Sequence, residues 1–170
     1  MNPWMAVTGL LLLACASSVP AKTEVNPQML RFRLAARVTY SAGGPISIHF
    51  TLENLSDQAI QILTWYTPLE GLKGKIFRVT RNGKSIDYNG RMVKRGKPTP
   101  ADYVRVAPRS SVSAEVDLTT AYDFSVAGMY RVEFVGHLHD VVVDSGTPAI
   151  GEPHALDLVG SSVDFRVLPR

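Results

Sequence analysis

The sequence has very little cysteine: Cys15 is the single cysteine among 170 residues. It lies within residues 1–21, a stretch without a charged side chain. The rest of the chain therefore has no intrachain disulfide, no cysteine-ligated zinc and no thiol nucleophile. Its apolar runs are also shorter than the roughly 20 residues of a membrane-spanning helix. What is present, 45% apolar and 19% charged residues, is typical of a folded domain.

Residues 1–21 have the pattern of a secretory signal peptide. A mainly apolar stretch with four consecutive leucines precedes the small-residue end Val19-Pro20-Ala21. Cleavage after Ala21 predicts a soluble exported domain of residues 22–170. The residues before Cys15 also resemble a bacterial lipoprotein signal, which leaves open a form anchored through an acylated Cys15. We expect a periplasmic or extracellular protein, with membrane contact only through that lipid.

Alternation of apolar and polar residues predicts β-strands along residues 22–170. Residues 30–40 are apolar at even positions and carry Arg31, Arg33 and Arg37 at odd ones. The other alternating or apolar segments are 46–52, 59–65, 77–81, 84–88, 103–106, 112–118, 130–134, 141–143 and 163–167. About eight or nine short strands without a long helix predict a single all-β domain, an immunoglobulin-like antiparallel β-sandwich. A small β-barrel is the alternative, because alternation does not distinguish the two.

Two local signals add detail to this fold. Asn82-Gly83 between two strand segments predicts a type I′ hairpin turn, in which both central residues have positive φ. Residues 128–132, Gly-Met-Tyr-Arg-Val, fit a tyrosine corner, in which the Tyr130 hydroxyl bonds back to the preceding crossover. The alternative for Tyr130 is an ordinary core tyrosine. Residues 119–124 predict one helical turn.

The histidines do not form a zinc-protease motif, because none stands in an H-E-x-x-H arrangement. His137 and His139 lie on one face of a short segment, and His154 is a conceivable third ligand. We favour solvent-facing histidines over a metal site. The sequence also has no serine in a nucleophile motif such as G-x-S-x-G, no calcium-binding loop and no phosphate-binding loop. The sequence therefore predicts no catalytic residue, no cofactor and no metal ligand.

The most distinctive polar segment is basic and rich in proline. Its four cations are Arg91, Lys94, Arg95 and Lys97, followed by Pro98 and Pro100. One interpretation is a solvated loop, and the other is a contact surface for an acidic partner. Nucleic acid is not expected as the partner, because the segment lacks interleaved aromatic residues for base stacking. A formal glycosylation sequon, Asn54-Leu55-Ser56, lies on a predicted turn.

Residues 75–135 also carry a series of short motifs. They are Tyr88-Asn89-Gly90, Lys94-Arg95 before Pro98, Asp102-Tyr103-Val104, Val106-Ala107-Pro108, Val116-Asp117-Leu118, and Ala121-Tyr122-Asp123-Phe124-Ser125 before Gly128, Tyr130 and Val132. With these motifs the segment resembles the non-catalytic, propeptide-like N-terminal region of deuterolysin-type peptidyl-Lys metalloendopeptidases. In that family the catalytic domain carries H-E-x-x-H, which this sequence lacks. No catalytic residue is carried over.

The resemblance implies a propeptide-like module that acts as a folding template or an inhibitor of a separately encoded metalloendopeptidase. Residues 94–97 would then occupy an acidic pocket of an enzyme that selects lysine. Two alternatives stay open at this point: a structural or adhesive envelope-associated sandwich with no protease link, and a truncated, inactive metalloprotease relative. Binding of a polyanion or a lipid surface through the basic residues is a further one.

Overall fold

The computed structural model describes residues 26–143, Leu156 and residues 161–170. In this part of the chain there are eleven strands in three sheets, four short 3-10 helices and no α-helix. The predicted signal peptide, Cys15 and His154 lie outside the described residues.

The strands follow one another closely along the chain. They are β1 (Leu30–Ala35), β2 (Thr39–Ser41), β3 (Ser47–Asn54), β4 (Ile60–Leu63), β5 (Phe77–Arg81), β6 (Lys84–Ser85), β7 (Tyr103–Val106), β8 (Ser111–Asp117), β9 (Gly128–Phe134), β10 (Val141–Val143) and β11 (Ser162–Leu168). The 3-10 helices are Pro27–Met29, Pro68–Glu70, Pro100–Asp102 and Leu118–Thr120.

Two of the sheets form a sandwich. One has the order β1-β3-β8 and the other the order β2-β11-β9-β5-β6. All pairings are antiparallel except that of β2 with β11. The apolar side chains of alternating positions meet between the layers, where Phe32 and Phe50 of the first sheet contact Phe134 of the second. The predicted all-β sandwich is therefore confirmed, and the described strands do not close into a barrel.

The third sheet, with the order β10-β4-β7, lies at one end of the sandwich. Its strands belong to the three long connections, residues 55–76, 86–110 and 135–161. The pairs Phe77–Phe134 and Ser162–Glu133 place the start of β5, the end of β9 and the start of β11 together at this end. The third sheet thus brings together residues that are far apart in the sequence.

Asn54 forms the corner between the sandwich and the third sheet. The residue is 1% exposed, and its side-chain amide nitrogen donates to the carbonyl oxygens of Gln58, Val106 and Ala107 at 2.7, 3.2 and 3.0 Å. Its amide oxygen accepts from the backbone and the hydroxyl of Ser56. Every bonding group of the side chain is used. In the folded domain the sequon at Asn54 is therefore closed to a glycosyltransferase.

Two strand predictions are wrong in their limits. Residues 30–40 are not one strand: β1 ends at Ala35, and the chain crosses to the other sheet before β2. Val38 in this crossing is exposed although its even position predicts burial. Apolar and polar residues alternate through both β1 and β2, so the pattern does not show that β1 pairs with β3 whereas β2 pairs with β11. The strand predicted for residues 84–88 is also shorter than expected: β6 ends at Ser85, and one further backbone bond, from the Ile86 N–H to the carbonyl oxygen of Val79 at 2.9 Å, follows it.

Both local signals are confirmed. Asn82 and Gly83 have φ of 47° and 80°, as a type I′ turn requires. The buried Tyr130 donates its hydroxyl hydrogen to the carbonyl oxygen of Val126 at 2.6 Å, which ties β9 to the crossover before it. The predicted helical turn is present as the 3-10 helix Leu118–Thr120.

Tyr130→Phe is expected to lower the free energy of unfolding by about 1 kcal/mol or slightly more, because the Val126 carbonyl loses its donor inside the protein. The ring stays, so apolar packing changes little. Urea unfolding followed by circular dichroism measures the difference, with an unchanged m-value showing that the unfolded state is not altered. Equal stability of the variant and the wild type would contradict the tyrosine corner as a stabilising contact.

Candidate partner interface

The three connections are joined to one another at the end of the sandwich. The backbone N–H of Thr64 donates to the carbonyl oxygen of Asp102 at 2.9 Å, and that of Leu63 donates to Asp140 at 3.0 Å. These bonds link the last residue of β4 to the residue before β10, and the residue after β4 to the residue before β7. On this base lies the basic segment, which we define as residues 91–98. It contains no helix or strand.

The entry to the basic segment is fixed by tight backbone packing. The Tyr88 hydroxyl donates to the carbonyl oxygen of Arg91 at 2.5 Å, and the Asn89 N–H donates to that of Ala121 at 2.8 Å. A Cβ at Gly90 would lie 2.5 Å from the Cβ of Ala121 and 2.7 Å from the Tyr88 ring, closer than atoms approach. Only glycine fits there, so the chain direction at the start of the segment is set.

Arg95 fastens the middle of the segment to the protein. Its guanidinium forms a hydrogen-bonded ion pair with Glu70, and its Cζ lies 5.1 Å from the ring centroid of Trp65. The side chains of Arg95 and Glu70 are only 16% and 6% exposed. The other carboxylate oxygen of Glu70 accepts the backbone N–H of Tyr66 at 2.8 Å. The charge of Arg95 is thus neutralised within the domain.

Two further contacts hold the segment on either side of Arg95. The Val93 N–H donates to the carbonyl oxygen of Lys73 at 3.1 Å. After the segment, Asp102 accepts the Thr99 N–H and hydroxyl, both at 2.8 Å, and the indole N–H of Trp65 at 3.0 Å. The backbone N–H of Thr99 is the main cause that lowers the pKa of Asp102 below its ordinary value. The Asp102 carboxylate thus ties Thr99, which follows the segment, to the Trp65 indole.

This bracing separates the four predicted contact cations into two kinds. Arg91, Lys94 and Lys97 are exposed and have no ion pair within the described part of the chain. Arg95 points inward to Glu70. The structure therefore presents three positive charges on a segment that is held in place, and it uses the fourth cation to hold it.

The two described histidines of the predicted set are connected to the contacts of Glu70 through Tyr66, whose backbone N–H donates to Glu70. His139 packs against Tyr66 with 4.6 Å between ring centroids, and the rings of His137 and His139 are 6.4 Å apart. Burial, and then the charge of His137, lower the pKa of His139. His139 is therefore neutral at pH 7. Across the described ranges no three His, Cys, Asp or Glu side chains are grouped to hold a metal ion.

A partly buried hydrogen bond joins β7 to the residues before β10 at the same end of the sandwich. The Tyr103 hydroxyl donates to the carboxylate of the buried Asp140 at 2.6 Å. Burial is the main cause that raises the pKa of Tyr103, and the hydrogen bond to Asp140 adds to it. The hydroxyl stays protonated and acts as a donor between β7 and the residues before β10.

Sequence reasoning found the basic segment and missed what braces it. Thr99-Pro100-Ala101-Asp102 has the spacing of a capping box, which could have indicated the contact at the end of the segment. Nothing in the sequence pairs Arg95 with Glu70, because 25 residues separate them. Trp65 is likewise brought to Arg95 only by the pairing of β4 with β7.

The chain shows a distant relationship to proteases. It is 28% identical over 104 residues to the extracellular protease of Aeromonas hydrophila, which covers 60% of this chain and 30% of that protein. It is 24% identical over 150 residues to a neutral protease 2 homolog of Arthroderma gypseum, covering 86% of this chain and 38% of that protein. A probable neutral protease 2 homolog A of Trichophyton rubrum is 28% identical over 126 residues, 73% and 33% of the two chains. The chain thus spans between 30% and 38% of the length of these relatives.

No protein-family model matches the chain. Among solved structures, the PapD-like domain 7 of human CEP192 covers 99% of both chains with a TM-score of 0.36 and 10% identity. The CARDB domain of PF1109 from Pyrococcus furiosus covers 83% of this chain and 94% of its own, with a TM-score of 0.34 and 14% identity. In the ranges that the structure describes, no helix has the length and apolar character to cross a membrane.

Proposed function

We propose that this domain is an exported, non-catalytic module that binds a metalloendopeptidase and serves it as an inhibitor or folding template. The observation that carries the proposal is the braced basic segment, which presents Arg91, Lys94 and Lys97 from a fixed backbone. The relationship to proteins named extracellular protease and neutral protease 2 supports the choice of partner and of location. Acylation of Cys15 would be a means of retaining the module at the membrane.

The physical case rests on preorganisation and charge. A protease cleft binds a stretch of chain, and a segment that is already held in place loses little conformational entropy when it docks. Three exposed cations attract a cleft of negative potential and speed the encounter. Because these charges are exposed, their contribution falls as salt increases and the Debye length shortens.

The proposal is tested by reversing the charge of the exposed cations together, in a variant with Arg91→Glu, Lys94→Asp and Lys97→Asp. The probe is purified extracellular protease of Aeromonas hydrophila, with casein hydrolysis as the readout. We expect the wild-type domain to inhibit and the variant to inhibit about tenfold more weakly or worse at low salt. The difference is expected to shrink in about 0.5 M salt.

A matched control variant has the same net charge as the triple charge-reversal variant and leaves the basic segment unchanged. It reverses Arg37, Lys84 and Arg166 to aspartate, three exposed cations outside the basic segment. We expect this control to inhibit almost as well as the wild type. Equal loss in both variants would show that total charge matters and the segment does not. Absence of inhibition by the wild-type domain would contradict the proposal, and casein hydrolysis by the domain alone would overturn its non-catalytic part.

A further inference from the structure

Lys94 is the exposed cation of the basic segment that lies directly between two braced residues, Val93 and Arg95. Met92 is 75% exposed and Val93 38%, and Arg91, Lys94 and Lys97 are exposed as well, whereas the Arg95 side chain is only 16% exposed. Among residues 93–96, Lys94 is therefore the cation whose side chain is exposed while its neighbours Val93 and Arg95 are held by contacts. At Gly96 the place of a Cβ has no atom within 4 Å, which leaves room for a partner's backbone.

We infer that Lys94 is the anchor residue of this surface, and that it enters an acidic specificity pocket of a protease cleft that binds the segment as it binds a substrate. This inference rests on the proposed function and adds to it the residue and the manner of binding. An ammonium group on a flexible stem reaches into a pocket as a point charge. Arg95 is unsuited to that role because Glu70 and Trp65 already hold its guanidinium.

The same contacts make the segment a poor substrate. Hydrolysis of the peptide bond between Lys94 and Arg95 adds one water and leaves a carboxylate on Lys94 and an amine on Arg95. On one side of this bond Val93 is tied to Lys73, and on the other Arg95 is tied to Glu70. Cleavage of native proteins usually requires local opening, and here the contacts on both sides resist it. A bound segment would thus block the cleft for longer than a free peptide does.

Trypsin is a suitable probe of this geometry, because its specificity pocket carries an aspartate. The intact domain is compared with a synthetic peptide of residues 88–102, which lacks the braces. We expect cleavage within the segment to be about tenfold slower or more in the domain, since opening must precede it. Mass spectrometry is expected to find the remaining cuts after Lys94 in preference to Arg95. Cuts after Arg95 as fast as those after Lys94, or equal rates in domain and peptide, would overturn the inference.

Glu70→Gln removes the charge that holds Arg95 and keeps the shape of the side chain. We expect trypsin to cut this variant after Arg95 as well, with the total rate in the segment raised about fivefold. Arg131 in β9 is an internal reference for folding, because cuts there rise only if the whole domain unfolds. If cuts at Arg131 rise in the Glu70→Gln variant, an Arg95→Met variant is tested in its place. We expect trypsin to cut that variant faster after Lys94. An unchanged rate after Lys94 in a folded Arg95→Met variant would contradict the brace.

The extracellular protease of Aeromonas hydrophila tests the role of Lys94 itself. We expect Lys94→Asp to weaken inhibition about tenfold and Lys84→Asp, an exposed lysine in the β5–β6 hairpin, to change it less than about twofold. Inhibition by the wild type with equal effects of the two variants would overturn the inference and leave the proposed function standing. No inhibition by the wild type would overturn the proposed function and this inference with it.

Discussion

Phe134→Ala is expected to lower the free energy of unfolding by about 3–5 kcal/mol, the cost of a large cavity in a packed core. The buried ring stands between the layers, with ring centroids 5.3 Å from Phe32, 5.8 Å from Phe50 and 5.9 Å from Phe77. These rings come from both sheets of the sandwich, so the cavity opens where the layers meet. Urea unfolding followed by tryptophan fluorescence and circular dichroism measures the change.

Two variants serve as controls for Phe134→Ala. Phe134→Leu keeps most of the volume and is expected to cost markedly less than Phe134→Ala, of the order of 1–2 kcal/mol. Met129→Ala lies on the same strand with an exposed side chain and is expected to cost less than about 0.5 kcal/mol. A Phe134→Ala variant no less stable than Met129→Ala would show that the aromatic cluster does not hold the layers together.

Asn54→Ala is expected to lower the free energy of unfolding by about 2–4 kcal/mol, because three carbonyl oxygens lose their donor at a buried corner. Asn54 joins the end of β3 to the turn between β7 and β8, from which the third sheet extends. Its loss is therefore expected to weaken the base of the basic segment as well. Hydrogen exchange is expected to speed up in β4 and β7 more than in β9.

Asn89→Ala is the matched control for Asn54→Ala, since Asn89 is exposed. We expect that control to change stability by less than about 0.5 kcal/mol. Uniform acceleration of exchange over all strands in Asn54→Ala would mean that Asn54 stabilises the domain as a whole and not the corner. Equal stability of the two variants would contradict the structural role of Asn54. It would also contradict the conclusion that the folded domain closes the sequon at Asn54 to a glycosyltransferase.

Local sequence signals gave the features that depend on a few neighbouring residues. The Asn82-Gly83 turn is of this kind, because positive φ at both positions is a property of those residues. The tyrosine corner is another, since its bond spans only four residues, from Tyr130 to Val126. Alternation likewise gave β1 and β3, whose pattern of burial follows the sequence.

Contacts between residues that are far apart in the sequence could not be predicted from such local signals. Residues 30–40 alternate as one strand, and only the pairing of β2 with β11 shows that the chain changes sheets. The basic segment is visible in the sequence as four cations, but the inward position of Arg95 depends on Glu70. The buried contact of Tyr103 with Asp140 spans 37 residues and has no local signal.

The sequence by itself determined that this chain forms antiparallel strands, where its tight turn and tyrosine corner lie, and which stretch carries concentrated positive charge. Those properties follow from backbone preferences and side-chain periodicity, which act over a few residues. Only the tertiary structure decided that three connections form a third sheet and that Lys94 projects while Arg95 is held. The orientation of a side chain on a segment without regular structure is set by partners that folding brings near, and those partners are distant in the chain.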